Sequence, residues 1–445
     1  MTTPSYDAFQ QTFCLSALAN RVWLDHGAQA DLQAQLQQEL SYFLTVKGYE
    51  KNLQSWVQPM IGNWSVSWGP VVWQNSGSTV ADNALYVAHC GDVPGLGETY
   101  VVAIAATNPL SDFDWQTEDF DVVNVVNFST FAPLTTPPSA VLPSQINDAT
   151  GTYISMGTAT GVYKLLQMVG AVNDGSAPAT LAEYLSGPTI TKGATIIVTG
   201  HSLAGALSPT LALVLKNAGT LDSFATAHVY PTAGASPGNA NFAAAYKAVF
   251  PPVVVGPAAR QQWNTLLWNQ YDVVPHAWYT QPVPDNASYP SMANAAALYT
   301  NGNAAAELSS VQCLVGKALQ ASQQSGIAYT PLQNQSLPGT LFTGKIYLDK
   351  YKLVSVTVNV PPNDMTGELA QMGIQHMSQY GGEALLNTGD FAEQAKAVDV
   401  PLIKGVRKDN WATVLKLYLQ WTGSKGCGTG DLAQQIAQLA EPATA

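Results

Sequence analysis

Charge is what this sequence has least of. Asp, Glu, Lys and Arg together make up 11% of its 445 residues while 47% are hydrophobic, and ordinary globular domains carry about a quarter charged residues. Solubility therefore rests on Ser, Thr, Asn and Gln, and disorder driven by high net charge is excluded for most of the chain. Basic residues are outnumbered 18 to 30, and the net charge of −12 repels phosphate backbones and anionic lipid heads at long range. Nucleic acid is not expected as a partner, and at a lipid–water interface apolar contact would have to dominate over short basic patches such as Lys404 to Lys408.

Cysteine is also scarce. Cys14, Cys90, Cys313 and Cys427 are widely spread and form no C-x-x-C pair, which speaks against zinc or redox chemistry through them. Two disulfides in an exported protein and four thiols in the cytosol both stay open. No D-x-D-x-D-G calcium loop is present, so no cofactor is implied. An apolar run of about 18 residues is missing too, and no transmembrane span is expected. Phe13 to Ala19 ends in an Ala-x-Ala-like pattern, but no Lys or Arg precedes it and the stretch continues through Arg21 and Trp23. A packing helix is the preferred reading over a signal peptide. Localisation stays open, with an extracellular protein the first alternative.

What is present is an alternation of patterns. Helical spacing marks the first 55 or so residues, most clearly Asp31 to Tyr49, as a cover over residues 1–60. Trp64 to Trp73, Ala84 to Cys90 and Thr99 to Ala105 read as strands. A Pro- and Thr-rich stretch from Pro133 to Pro143 precedes a helix from Ile154 to Val169. Strands at Thr195 to Thr199, Ala227 to Tyr230 and Thr265 to Trp268 then alternate with helices at Leu203 to Ala218 and Ala240 to Val249. This predicts an α/β fold, a mostly parallel sheet with helices on both faces. Residues 281–341 read as a helical insertion, with pieces at Ser291 to Leu298 and Val311 to Gln320, inside a single domain spanning 1–445. A hairpin-like stretch from Lys345 to Val360, a helix from Thr366 and a C-terminal helix from Asp431 to Ala440 follow.

The chemistry concentrates where the buried strand Thr195 to Thr199 turns through Gly200-His201-Ser202-Leu203-Ala204-Gly205 into an Ala- and Leu-rich helix. Such a corner exposes a serine hydroxyl at a helix N-terminus, and the small residues around it let strand and helix approach. The helix dipole favours an oxyanion there, and the Leu203 N–H can donate to it. The bland alternative is a serine capping a core helix. A serine nucleophile needs a base, and there are six histidines. In the order Ser, acid, His, His26, His89 and His201 come too early. His228 lies inside a strand, which suits a structural role. His276 follows the best acid, Asp272, by only four residues, so His376 is the preferred base and His276 the runner-up. Asp272 stands just after a strand, where catalytic groups of open parallel sheets collect; an Asx turn is its alternative.

These blocks resemble the class 3 lipase family, the fungal triacylglycerol lipase-like branch of the α/β-hydrolases. Gly200 to Gly205 is similar to its nucleophile motif, and Gly234-Ala235-Ser236-Pro237-Gly238-Asn239 with Phe242 to its Gly-Ser-Pro block. Asn269 to His276 resembles the block of its catalytic aspartate, and His376 with Tyr380 its late His…Tyr block. Val101 to Thr107 with Asp114-Trp115 and Asp119 is similar to its oxyanion strand, although Ala105-Ala106 replaces an Arg-Gly pair. The resemblance implies a lipase or esterase acting on lipid-like acyl esters through Ser202, Asp272 and His376, with Thr107 as the second oxyanion donor. It also implies a lid near Val122 to Ala132, for which a packed strand is the alternative. Rival readings are a phospholipase A-type acyl hydrolase and an inert lipid-binding module.

Overall fold

β-Branched residues crowd Thr195–His201, and all but the last are buried, as expected of a strand covered on both faces. The computed structural model describes residues 6–44, 61–281, 289–295, 297–299, 309–347, 355–363 and 365–380. The expected helix at Asp431 to Ala440, the patch at Lys404 to Lys408, Cys427 and the end of the Asp31 to Tyr49 helix lie outside these residues. The chain divides into two compact units, Met1–Leu267 with Ser325–Gln335, and Trp268–Gln324 with Ser336–Ala445.

Strands β1 (Ser65–Trp73), β2 (Asn83–Val93), β3 (Gly97–Ile104), β4 (Thr195–His201) and β5 (Thr226–Thr232) of the first unit belong to a seven-stranded sheet whose order follows the chain and continues with β6 (Leu266–Asn269) and β7 (Asn334–Leu337). β1, β2 and β3 pair antiparallel. From β3 to β6 the strands run parallel, with Val101 opposite Ile197, Ile197 opposite His228 and Thr232 opposite Leu267. Helices flank this sheet, the α/β-hydrolase architecture expected from the sequence.

Helix α1 (Ala8–Leu18) starts at a capping box in which Asp7 and Gln10 satisfy each other's backbone N–H groups. It packs against β3, β4 and β5 so closely that even Gln11, Thr12 and Ser16 are buried. Helix α2 (Gln29–Leu44) turns Leu32, Leu36, Leu40 and Phe43 inward, a spacing that keeps one stripe on β1. Helix α3 (Met156–Gln167) packs on α4 (Leu203–Asn217), which is buried from Leu203 to Leu215. Truncating one of its leucines, such as Leu211, leaves a cavity worth about 2–5 kcal/mol.

Two local readings change. Val125–Asn127 pairs with Tyr153–Ser155 in a second, four-stranded sheet, and Val122, Val125, Val126 and Phe128 are buried. The apolar side chains of that stretch are thus committed to packing, the alternative weighed against a lid. The 281–341 segment contains α5 (Met292–Ala295) and α6 (Ser309–Gln324), but it also supplies β7 and a strand at Tyr329–Thr330 that pairs with Gly238–Asn239. Its Gln, Asn and Pro content hides the strand period, and burial of Tyr329, Leu332 and Leu337 sets the outcome.

In the second unit, Gly344–Tyr347 and Ser355–Val358 form the expected hairpin. Helix α7 (Met365–Gly373) continues into a π-helical turn at Ile374–Ser378. Cys14 and Cys90 are buried free thiols, whereas Cys313 takes part in a disulfide. No helix among the described residues is long and apolar enough to cross a membrane.

Candidate active site

Ser202 joins β4 to α4 with φ 60 and ψ −124, a backbone that non-glycine residues seldom adopt. Three contacts hold the corner. The Ser202 N–H donates to the Thr232 carbonyl at 3.0 Å, the Gly205 N–H donates to the Ser202 carbonyl at 2.7 Å, and the Thr232 hydroxyl meets Nδ1 of His201 at 2.9 Å. Glycine is required on both sides, because a Cβ on Gly200 would collide with Ala204 and one on Gly205 with the Thr232 carbonyl and Gly234. Leu203 is the first residue of α4, so its N–H has no partner within the helix and sits at the positive end of the dipole.

In the same unit the chain leaves β3 through Ala105 to Asn108. The N–H of Ala105 donates to Ala84 O at 2.8 Å, that of Ala106 to Oδ1 of Asn20 at 2.7 Å, and that of Asn108 to Oδ2 of Asp114 at 2.6 Å. The Thr107 hydroxyl donates to Oδ2 of Asp119 at 3.0 Å. Its N–H, between the committed neighbours, has no hydrogen-bond partner among the described residues. Asp119 closes a π-helical turn, Asp114–Asp119, set among buried carboxyls. Burial pushes Glu118 up to about 8 against the donated hydrogen bond from Asn83. Burial, with Glu118 alongside, also carries Asp114 well above the usual carboxylate range.

The second unit contains the expected acid and base as a hydrogen-bonded pair. Nδ1 of His376 lies 3.0 and 2.9 Å from the two oxygens of Asp272, which is fully buried. Asp272 also accepts from the Val274 N–H at 3.0 Å and the Tyr380 hydroxyl at 2.8 Å. Burial, reinforced by the neighbouring carboxylate, pushes the Tyr380 phenol far up and keeps it a donor. Its oxygen in turn accepts from the Asn269 N–H at 2.8 Å, tying Asp272 to the strand that precedes it. The Asn269 amide donates to both the backbone and side-chain oxygens of Gln375, and Gln375 donates onward to Thr340 O. His376 thus sits between two neighbours that bind the Asp272 segment.

The other late histidines are occupied elsewhere. Nδ1 of His276 lies within 2.8 and 2.9 Å of the Ser291 carbonyl and N–H, and burial lowers its pKa, so the ring stays neutral. His228 stacks on Trp263 at 5.0 Å, and burial drives it down to about 4. In the glycine block, Asn239 caps Ala240–Val249 and accepts from Tyr153 N–H, a structural task. Asn20, Asn269 and Gln375 were not singled out from the sequence. Asn269 opens a quoted block and Gln375 adjoins one, whereas nothing local marks Asn20.

A serine at a left-handed strand-to-helix corner on a largely parallel sheet defines the α/β-hydrolase class. Within it, residues 143–281 match the family described as Lipase (class 3). That match spans Ser202, Leu203 and Asp272 but neither Thr107 nor His376. No curated protein matches it. Similar solved structures include M37 lipase, 22% identical over 93% of this chain and 100% of that one, with a TM-score of 0.60. Nonglycosylated LIP2 lipase of Yarrowia lipolytica is 16% identical over 60% and 73% of the two chains, TM-score 0.35. An MDLA variant from Penicillium cyclopium is 16% identical over 63% and 82%, TM-score 0.31. The first bears on the fold; the other two scores are too low to add to it.

Proposed function

We propose that the chain hydrolyses lipid-type carboxylic esters through an acyl-enzyme on Ser202, with His376 as base and Asp272 orienting it. In this reading Nε2 of His376 takes the Ser202 proton as the oxygen attacks the ester carbonyl. The N–H groups of Leu203 and Thr107 receive the oxyanion, and the alcohol leaves with the proton from His376. Water, deprotonated by the same imidazole, then releases the acid. Asp272 holds the proton-bearing Nδ1 and stabilises the imidazolium without itself accepting the proton.

The observation that carries the reading is the Ser202 backbone at φ 60, since a serine that only capped a helix would need no such conformation. The Asp272–His376 pair and the uncommitted Thr107 N–H support it. The Ser202→Ala variant is expected to lose about a millionfold in kcat on a p-nitrophenyl ester and to lose labelling by a fluorophosphonate. Near-wild-type turnover would overturn the mechanism. A panel of glycerides, phospholipids and short-chain esters, with this variant as control, separates the lipase from a phospholipase A-type activity.

A further inference from the structure

We propose that Asn20, in the turn after α1, is a positioning residue for the oxyanion loop, holding Ala106 so that the Thr107 N–H is left to the reaction. The inference rests on the reading of Thr107 as an oxyanion donor. The four N–H groups from Ala105 to Asn108 lie beyond the end of β3, where the regular ladder stops. Without it, each is free to turn toward whatever acceptor is near. Ala105 still bonds Ala84 O on β2, and Asn108 is taken by Asp114. The Ala106 N–H is not part of the ladder, and its acceptor is the Asn20 amide oxygen at 2.7 Å, 86 residues away in sequence.

That acceptor is well fixed. The Asn20 N–H donates to Ala17 O at 3.2 Å, and its amide nitrogen lies 3.3 Å from Ser16 O and 3.5 Å from Ala17 O, which orients Oδ1 away from the helix end. The helix is pinned along its length. Asp7 pairs with Arg260 at 3.0 Å, Phe9 stacks on Trp263 at 4.1 Å, and the Tyr86 hydroxyl donates to Leu15 O at 2.7 Å. Tyr86 lies on β2, beside the strand whose exit Asn20 holds. Ala106 is therefore fixed from α1, and the Thr107 hydroxyl from Asp119 on the other side. With both neighbours tied, the peptide between Ala106 and Thr107 has little freedom to rotate. A donor preset before charge develops requires no reorganisation when the oxyanion forms.

The test compares Asn20→Leu, similar in size but without an acceptor, with Asn20→Asp, which keeps an oxygen for the Ala106 N–H. A soluble p-nitrophenyl ester supplies kcat and KM, an alkylboronic acid reports on oxyanion binding, and thermal melting checks the fold. Asn20→Leu is expected to lose about 10- to 100-fold in kcat with KM within about twofold, and the boronate affinity to fall alongside kcat. Asn20→Asp is expected to keep most of both. A folded Asn20→Leu enzyme with unchanged kcat overturns the proposal, as does a loss of kcat with no change in boronate affinity. If Asn20→Leu does not fold, Asn20→Asp decides alone, since a folded Asp variant with Leu-scale loss of kcat also overturns it. Ser202→Ala in the same assay separates the two levels. An active Ser202→Ala refutes the underlying reading, whereas an inactive one beside a fully active Asn20→Leu refutes only the role of Asn20.

Discussion

At the scale of single residues, the Asp272 carboxylate shows how a buried charge is kept useful. It accepts from three donors, the Nδ1–H of His376 shared between its two oxygens, the Val274 N–H and the Tyr380 hydroxyl. A buried charge left short of donors is costly, so each of these is a stability contact as well as an orienting one. Tyr380 has a double task, since its oxygen also accepts the Asn269 N–H. Tyr380→Phe removes a donor from Asp272 and strands that N–H. The expected results are a loss of about 1–3 kcal/mol in urea unfolding and a fall of roughly tenfold in kcat at nearly constant KM, because in the proposed mechanism Asp272 acts through His376 and not on the substrate. Unchanged kcat would remove Tyr380 from the positioning network. His376 and Tyr380 were readable as a motif because they resemble the late His…Tyr block of the class 3 lipase family. Gln375, one residue before His376, was not, because its amide acts through Asn269 and Thr340, which are distant in sequence.

Among the elements, the turn Asp114–Asp119 carries a buried carboxyl that ties stability to pH. Around Glu118 stand Asp82, Asp114 and Asp119, with Lys164 from α3 as a counter-charge. Lys164 itself rests over the ring of Trp73 at 4.3 Å. Glu118 ionises ordinarily at 4.5 but near 8 when folded. Between those values the folded protein retains a proton that the unfolded chain has released. This contribution to stability is complete below about 4.5 and is lost as pH rises through about 8. Wild type should therefore unfold more easily at pH 9 than at pH 6, by an amount on the order of a few kcal/mol. Glu118→Gln keeps an acceptor for Asn83 and has nothing to ionise, so its urea midpoint should decline less. Equal declines in the two proteins would place the alkaline sensitivity elsewhere. No sequence pattern announces this cluster, because Asn83 and Glu118 come from separate elements and meet only through packing.

For the whole molecule, the parts legible in advance were those with a local period or a local constraint. The β-branched run of β4, the leucines of α2 at three- and four-residue steps and the small residues around Ser202 each impose their own conformation. Elements whose identity depends on what covers them were harder to read. For Val122 to Ala132 the family resemblance implied a lid, yet Val125–Asn127 pairs with Tyr153–Ser155, which lies well downstream. β7 carries Asn334, Gln335 and Ser336, and a place beside β6 overrides their weak strand preference. The loop from Ala105 to Asn108 is the extreme case, since its N–H groups bond Asn20 in the turn after α1, Ala84 on β2 and Asp114.

The left-handed backbone of Ser202 bears on the whole fold as well. A serine held there forgoes about 1–3 kcal/mol relative to a relaxed conformation, and glycine adopts it freely. Ser202→Gly should therefore melt about 1–3 °C higher than the active enzyme, after allowing for the extra freedom of glycine in the unfolded chain, and a lower melting point would show the corner to be unstrained. In the proposed mechanism that variant is inactive, so screening for heat tolerance alone would favour dead enzymes, and any programme to harden this protein must select for turnover in the same round.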